Sequence, residues 1–141
     1  RRQRQMCIRD RQLPEHVQIA LHTVETADAL IVGTPVYRAS YPGLFKHFFD
    51  LIEQFALVNV PVILAASGGS ERHSLVIEHQ LRPLFSFFQT QTMSLGVYAT
   101  DKDFSSDYRI INHELLERIS LTIQRALPIL RAIKLRHFMK N

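Results

Sequence analysis

The sequence predicts an α/β fold built on a parallel sheet. Helical and strand patterns alternate along the chain, and the strand segments are unbroken apolar runs. Two of those runs end in loops of proline, glycine and small polar residues that lead into a helix. Alternation of this kind implies right-handed crossovers between parallel strands. Strands without polar alternation belong in a sheet covered on both faces. At 141 residues the chain has the size of one domain with one sizeable core, and it shows no internal repeat or linker.

Each element has a local reason. Residues 12–25 read as a helix, with Val17, Ile19, Ala20, Leu21 and Val24 forming an apolar stripe and Pro14 in the first turn. Residues 29–32 form a buried strand that ends in the loop Gly33 to Gly43. Residues 44–55 are helical, with Leu44, Phe45, Phe48, Ile52 and Phe55 at spacings of one, three and four. A strand over residues 61–66 runs into Ser67-Gly68-Gly69-Ser70. Residues 71–89 form a long apolar helix, residues 93–99 a strand, and residues 100–108 a polar loop. Residues 114–135 close the pattern as a helix that Pro128 should bend.

Composition narrows the class. Hydrophobic residues at 46% and charged residues at 21% describe an ordinary globular protein. No apolar stretch reaches the roughly 18 residues of a membrane span, and no apolar segment follows the basic start as in a signal peptide. Residues 1–11 resemble an in-frame translation of a transposase adapter used to build sequencing libraries, and are expected to stand outside the domain; the alternative is a genuine basic arm. They hold five arginines and one aspartate, a net +4 that equals the formal charge of the whole chain. The remainder carries 12 basic and 12 acidic side chains, so the charge balance gives no support to nucleic-acid binding. The single cysteine, Cys7, lies in the same stretch.

Several chemistries find no motif. The histidines lack metal-ligand spacing, so no metal site is expected. Gly68-Gly69-Ser70-Glu71-Arg72 does not complete a nucleophile elbow, because its last position is arginine. What remains is the pair of loops at consecutive strand ends, where ligands sit in open α/β sheets. Either loop alone could be a plain turn; together they form one crevice. His79 lies four residues before Pro83, whose missing N–H must bend or bulge the helix. His73 is a second histidine on the same segment. Phe48 and Phe49, like Phe87 and Phe88, are adjacent in helices and cannot all face one sheet, so a homodimer or homotetramer is expected.

Thr34-Pro35-Val36-Tyr37-Arg38, the helix start at residues 44–50 and Ser67-Gly68-Gly69 resemble the flavodoxin-like NAD(P)H-dependent FMN reductases. The branch most resembled supplies reduced flavin to alkanesulfonate and methanesulfonate monooxygenases, and the likeness runs from about residue 13 to residue 130. The resemblance implies a three-layer α/β/α fold with strand order 2-1-3-4-5, of which the first two strands and the phosphate loop are expected before Leu13. Residues 12–141 would then be the C-terminal part of one domain. It also implies FMN and either NADPH or NADH as cofactors, with Thr34, Pro35, Val36, Tyr37, Arg38, Ser67, Gly68, Gly69 and Ser70 lining the flavin. Arg38 is either a donor to flavin or nicotinamide phosphate or a solvated rim residue. The cofactor carries the chemistry, so no catalytic acid or base is expected. His79 matches a π-bulge residue at an oligomer interface. The implied partners are flavin, a nicotinamide nucleotide and a flavin-dependent monooxygenase, in the cytoplasm, with no nucleic acid and no membrane. A quinone or azo reductase and a flavodoxin-like electron carrier are the alternatives on the same fold.

Overall fold

The computed structural model describes residues 13–138; residues 1–11, expected to derive from an adapter, lie outside them. Helix α1 spans Glu15–Glu25. It starts three residues after the predicted residue 12 because Pro14 has extended backbone (ψ 144°), while the Pro14 carbonyl accepts from Val17 and Gln18. Strand β1 spans Leu30–Pro35 and pairs in parallel with β2, Pro61–Ser67, in a register from Leu30↔Val62 to Pro35↔Ser67. The predicted loop therefore begins three residues late: Gly33, Thr34 and Pro35 belong to the strand. Proline costs no bond to β2 there, because the Val36 N–H points to β2 and the neighbouring Pro35 nitrogen therefore faces away from it.

Helix α2, Gly43–Leu51, stops short of the predicted end at Phe55. Ile52 turns extended (ψ 140°), and the Glu25 carboxylate accepts the N–H of Glu53 at 2.8 Å. The predicted helix over residues 71–89 divides into a 3-10 turn at Glu71–His73, a π-helical turn at Ile77–Leu81 and α3 at Arg82–Phe87. In the π turn the Arg82 N–H reaches back five residues to the Ile77 carbonyl, just ahead of Pro83, which has no N–H to give.

Of the strand predicted over residues 93–99 only the end forms, as β4 at Val97–Ala99; β3 at Gln91–Thr92 lies before the predicted span, in the residues assigned to a loop, and both are parallel to β2. Between them the chain leaves the ladder to meet Arg82, whose guanidinium donates to Thr92 Oγ1 (2.9 Å), Met93 O (3.0 Å) and Ser94 O (3.4 Å). Glu78 closes a bidentate pair with the same side chain, at 2.6 and 2.8 Å. Helix α4, His113–Phe138, carries Pro128 within it.

The sheet order β1-β2-β3/β4 is that of the last three strands of the expected five. Its core lies on one face, where Val32, Val62, Leu64 and Ala66 meet Phe49, Ile52, Leu81, Phe85 and Phe88. Phe49 packs edge-on to Phe85 with ring centroids 4.9 Å apart. Helix α4 covers the other face over β2 and β4, burying Leu115, Thr122 and Ala126. Among the described residues one face of β1 is left open, with Ile31 79% exposed. A groove of about 350 Å³ lies beside α4, lined by Gly33, Ala65, Val97, Leu115 and Ile119 among others. Among the described residues no helix is long and apolar enough to cross a membrane.

Candidate functional site

The two loops singled out from the sequence meet at the carboxyl ends of β1 and β2. The Val36 N–H donates to the Ser67 carbonyl at 2.7 Å, fastening the loops directly. Beyond Val36 the chain makes a two-residue hairpin: Tyr37 N–H donates to Ser40 O (2.8 Å) and Ser40 N–H to Tyr37 O (3.2 Å). Its central residues, Arg38 (φ 52°) and Ala39 (φ 67°), are both left-handed. Such turns favour Asn-Gly, and each non-glycine residue there costs about 1–2 kcal/mol. Strain of this kind clusters at functional sites. With neither asparagine nor glycine at these positions, nothing in the sequence signalled the turn.

Tyr37 is 64% exposed, and Pro35, Arg38 and Ala39 are exposed with it, while Val36 is half-buried. Thr34 is placed differently. Its side chain is buried and its hydroxyl donates to Pro35 O at 3.2 Å, so it lies beneath the crevice.

In the second loop Ser67 and Gly69 are exposed and Gly68 and Ser70 half-buried. Gly68 N–H donates to Ala99 O at 3.0 Å, and Ser70 Oγ caps the next turn by accepting from Arg72 N–H. The two glycines differ. A Cβ at Gly68 would stand 2.6 Å from Tyr98 Oη and 3.3 Å from Val36 Cβ, so the protein's own packing excludes a side chain there. At Gly69 the nearest atom to such a Cβ is Asp101 Oδ2, at 3.8 Å, leaving this backbone open. Among the described residues, the N–H groups of Arg38, Ala39, Gly69 and Ser70 donate to no protein acceptor.

A third wall was missed. Residues 101–103, read as polar loop, form a 3-10 turn at Asp101–Asp103 with a reciprocal cap. Asp103 Oδ2 accepts from Thr100 N–H (2.6 Å) and Thr100 Oγ1 (3.0 Å), and its Oδ1 from Asn112 Nδ2 (2.6 Å). The Thr100 backbone bond, then that from Asn112, holds the Asp103 carboxyl below its usual pKa. The Thr-x-x-Asp spacing was the available signal. Burial, and then the Asp101 carboxylate, push the Tyr98 phenol up, keeping it a donor.

The two histidines lie on the segment that leaves the crevice, and the His73 N–H donates to the Ser70 carbonyl at 3.2 Å. His79 is exposed on the π turn, and His73 is half-buried on the turn after Ser70. The π turn reaches the first loop through Gln80, whose Oε1 accepts from Ser40 Oγ at 3.4 Å. No group of three or more His, Cys, Asp or Glu among the described residues could hold a metal ion.

A parallel α/β sheet with two fastened loops at adjacent strand ends, unclaimed N–H groups and an exposed aromatic ring defines a ligand-binding protein of the flavodoxin-like class. The sequence model of NADPH-dependent FMN reductases matches residues 2–105, and the chain belongs to that family. It is 58% identical over 118 residues to the NADH-dependent FMN reductase SfnF of Pseudomonas fluorescens (strain Pf0-1), covering 84% of this chain and 63% of the relative. It is 56% identical, with the same coverage, to an FMN reductase (NADPH) of Pseudomonas aeruginosa. The chain therefore spans about 63% of the length of these curated relatives. Among solved structures it resembles an oxidoreductase from Corynebacterium diphtheriae (TM-score 0.74, 34% identity, 92% of this chain and 68% of that one). It also resembles the apo form of the NADH:FMN oxidoreductase EmoB (TM-score 0.73, 28% identity, 84% and 62%).

Proposed function

We propose that the chain carries the isoalloxazine-binding part of an NAD(P)H-dependent FMN reductase. The observation that carries the reading is the Val36–Ser67 bond joining two loops at adjacent strand ends, with Tyr37 exposed beside them. The residues fit the group. A flavin ring is planar, with nitrogen and oxygen acceptors along one edge, and the crevice offers unclaimed N–H groups at Gly69 and Ser70. The open backbone at Gly69 admits close approach. When bound, the flavin accepts a hydride from NADH or NADPH and passes the electrons on. Pro35, Val36, Tyr37 and Arg38 flank the ring, Ser67, Gly68, Gly69 and Ser70 support its polar edge, and Thr34 acts from below. The chain needs no acid or base of its own for hydride transfer.

The reduced flavin goes to a partner monooxygenase, in the cytoplasm where nicotinamide nucleotides are kept reduced. We place the homo-oligomer interface around the π turn, where His79 is exposed and the chain on either side carries Leu75 and Phe87, each 58% exposed. We also assign the helix expected before residue 13 to the uncovered face of β1, and the strand expected there to its free edge. The deciding experiment follows NAD(P)H oxidation by the full-length protein with FMN present and absent. Flavin-dependent turnover supports the reading, and its absence overturns it.

A further inference from the structure

Tyr98 stands on β4, beneath the turn that leads away from β2. Its Oη donates to the Ser70 carbonyl at 2.7 Å. The same oxygen lies where a Gly68 side chain would begin, and Val36 closes the opposite side. The backbone of Gly68 is thus held between a strand residue and the first loop, with its own N–H on Ala99 O. No other side chain touches both ends of this turn among the hydrogen bonds of the described residues.

We propose that Tyr98 is a positioning residue of the crevice: by holding the Ser70 carbonyl and filling the space beneath Gly68, it fixes the height at which Gly69 and Ser70 present their N–H groups to the flavin. The inference rests on the flavin reading above. Without the phenol, the Ser70 carbonyl keeps only the His73 N–H at 3.2 Å, the space beneath Gly68 empties, and the Gly69 and Ser70 N–H groups lose their fixed height. Because the side chain acts through the turn, its loss should weaken flavin binding and leave the hydride step alone.

The test compares wild type, Tyr98→Phe, Gly68→Ala and the double variant of the full-length protein. FMN affinity is read from quenching of flavin fluorescence, and turnover from NAD(P)H oxidation. We expect Tyr98→Phe to raise Kd and KM for FMN about fivefold, the worth of one hydrogen bond, with kcat at saturating FMN within about twofold. Gly68→Ala should weaken FMN further, and Tyr98→Phe should restore part of that loss by removing the oxygen that the new methyl meets. Unchanged FMN affinity in Tyr98→Phe, or losses that simply add in the double variant, would overturn the proposal. A wild type that binds no FMN overturns the flavin reading instead, and with it this proposal. Thermal melts of the four proteins would then still report whether Gly68 and Tyr98 are coupled.

Discussion

The N–H of Val36 donates to the carbonyl of Ser67 at 2.7 Å, one step beyond the last β1–β2 pair, Pro35↔Ser67. That bond carries the parallel ladder out of the sheet and into the crevice. The two loops are therefore one structural unit, and displacement of either is felt by the other.

Tyr37 provides the exposed ring of that unit. Replacing it with alanine should weaken FMN about three- to tenfold, the range for loss of one aromatic stack, whereas phenylalanine should retain most of the affinity. Equal affinity in Tyr37→Ala, measured by flavin fluorescence, would remove Tyr37 from the site.

Ala39 holds φ 67° without being glycine. Ala39→Gly should relieve that strain, offset in part by the greater entropy of glycine in the unfolded chain. The expected net gain is about 0.5–1 kcal/mol, or about 2–4 °C in Tm for a chain of this size. A lower Tm by calorimetry would contradict the left-handed turn.

Arg82 joins the π turn to the break between β3 and β4. Arg82→Ala leaves the carbonyls of Met93 and Ser94 without this donor and should cost about 2 kcal/mol, in the range for bonds to a charged group. Lysine should not rescue it, because a single ammonium cannot reproduce the fork. The partner, Glu78, has its pKa lowered first by the hydrogen bond from Arg82. Its stabilising share is therefore present above the ordinary value of 4.5 and fades as pH falls through the lowered folded value. Urea unfolding across pH 3–7, as a rough range, should show that loss in wild type and not in Glu78→Gln.

Asp103 ties the third wall together. Asp103→Asn can still accept from Thr100 through its one oxygen, but it loses the charge and turns an NH2 toward the Asn112 Nδ2 donor, so a loss of about 1–2 kcal/mol is expected. The Asp103 carboxyl is also lowered, so wild-type stability from this group should be complete above 3.8 and decline as pH falls below it. A substitution with no effect on Tm near neutral pH would remove the cap from the account.

The crevice was legible because loop chemistry is local. Proline, tyrosine and glycine at the end of an apolar strand mark a turn whatever surrounds them, and two such strand ends in succession imply neighbouring loops. The bulge near His79 was legible for the same reason, since Pro83 removes an N–H from its own helix. The strand lengths were not. Gly33, Thr34 and Pro35 look like loop residues and become strand only because β2 offers them partners, and the third strand breaks because Arg82 reaches across to its carbonyls.

By itself, then, the sequence determined the α/β alternation, the parallel sheet and the two loops that meet at neighbouring strand ends. These depend on periodicity and turn preference, which act over a few residues. The tertiary structure alone decided that Gly68 is a glycine because of Tyr98, that Thr34 is buried, and that Gly33 to Pro35 join the ladder of β2. Each of these follows from contacts between segments far apart in the chain, where packing and hydrogen bonding outweigh local preference.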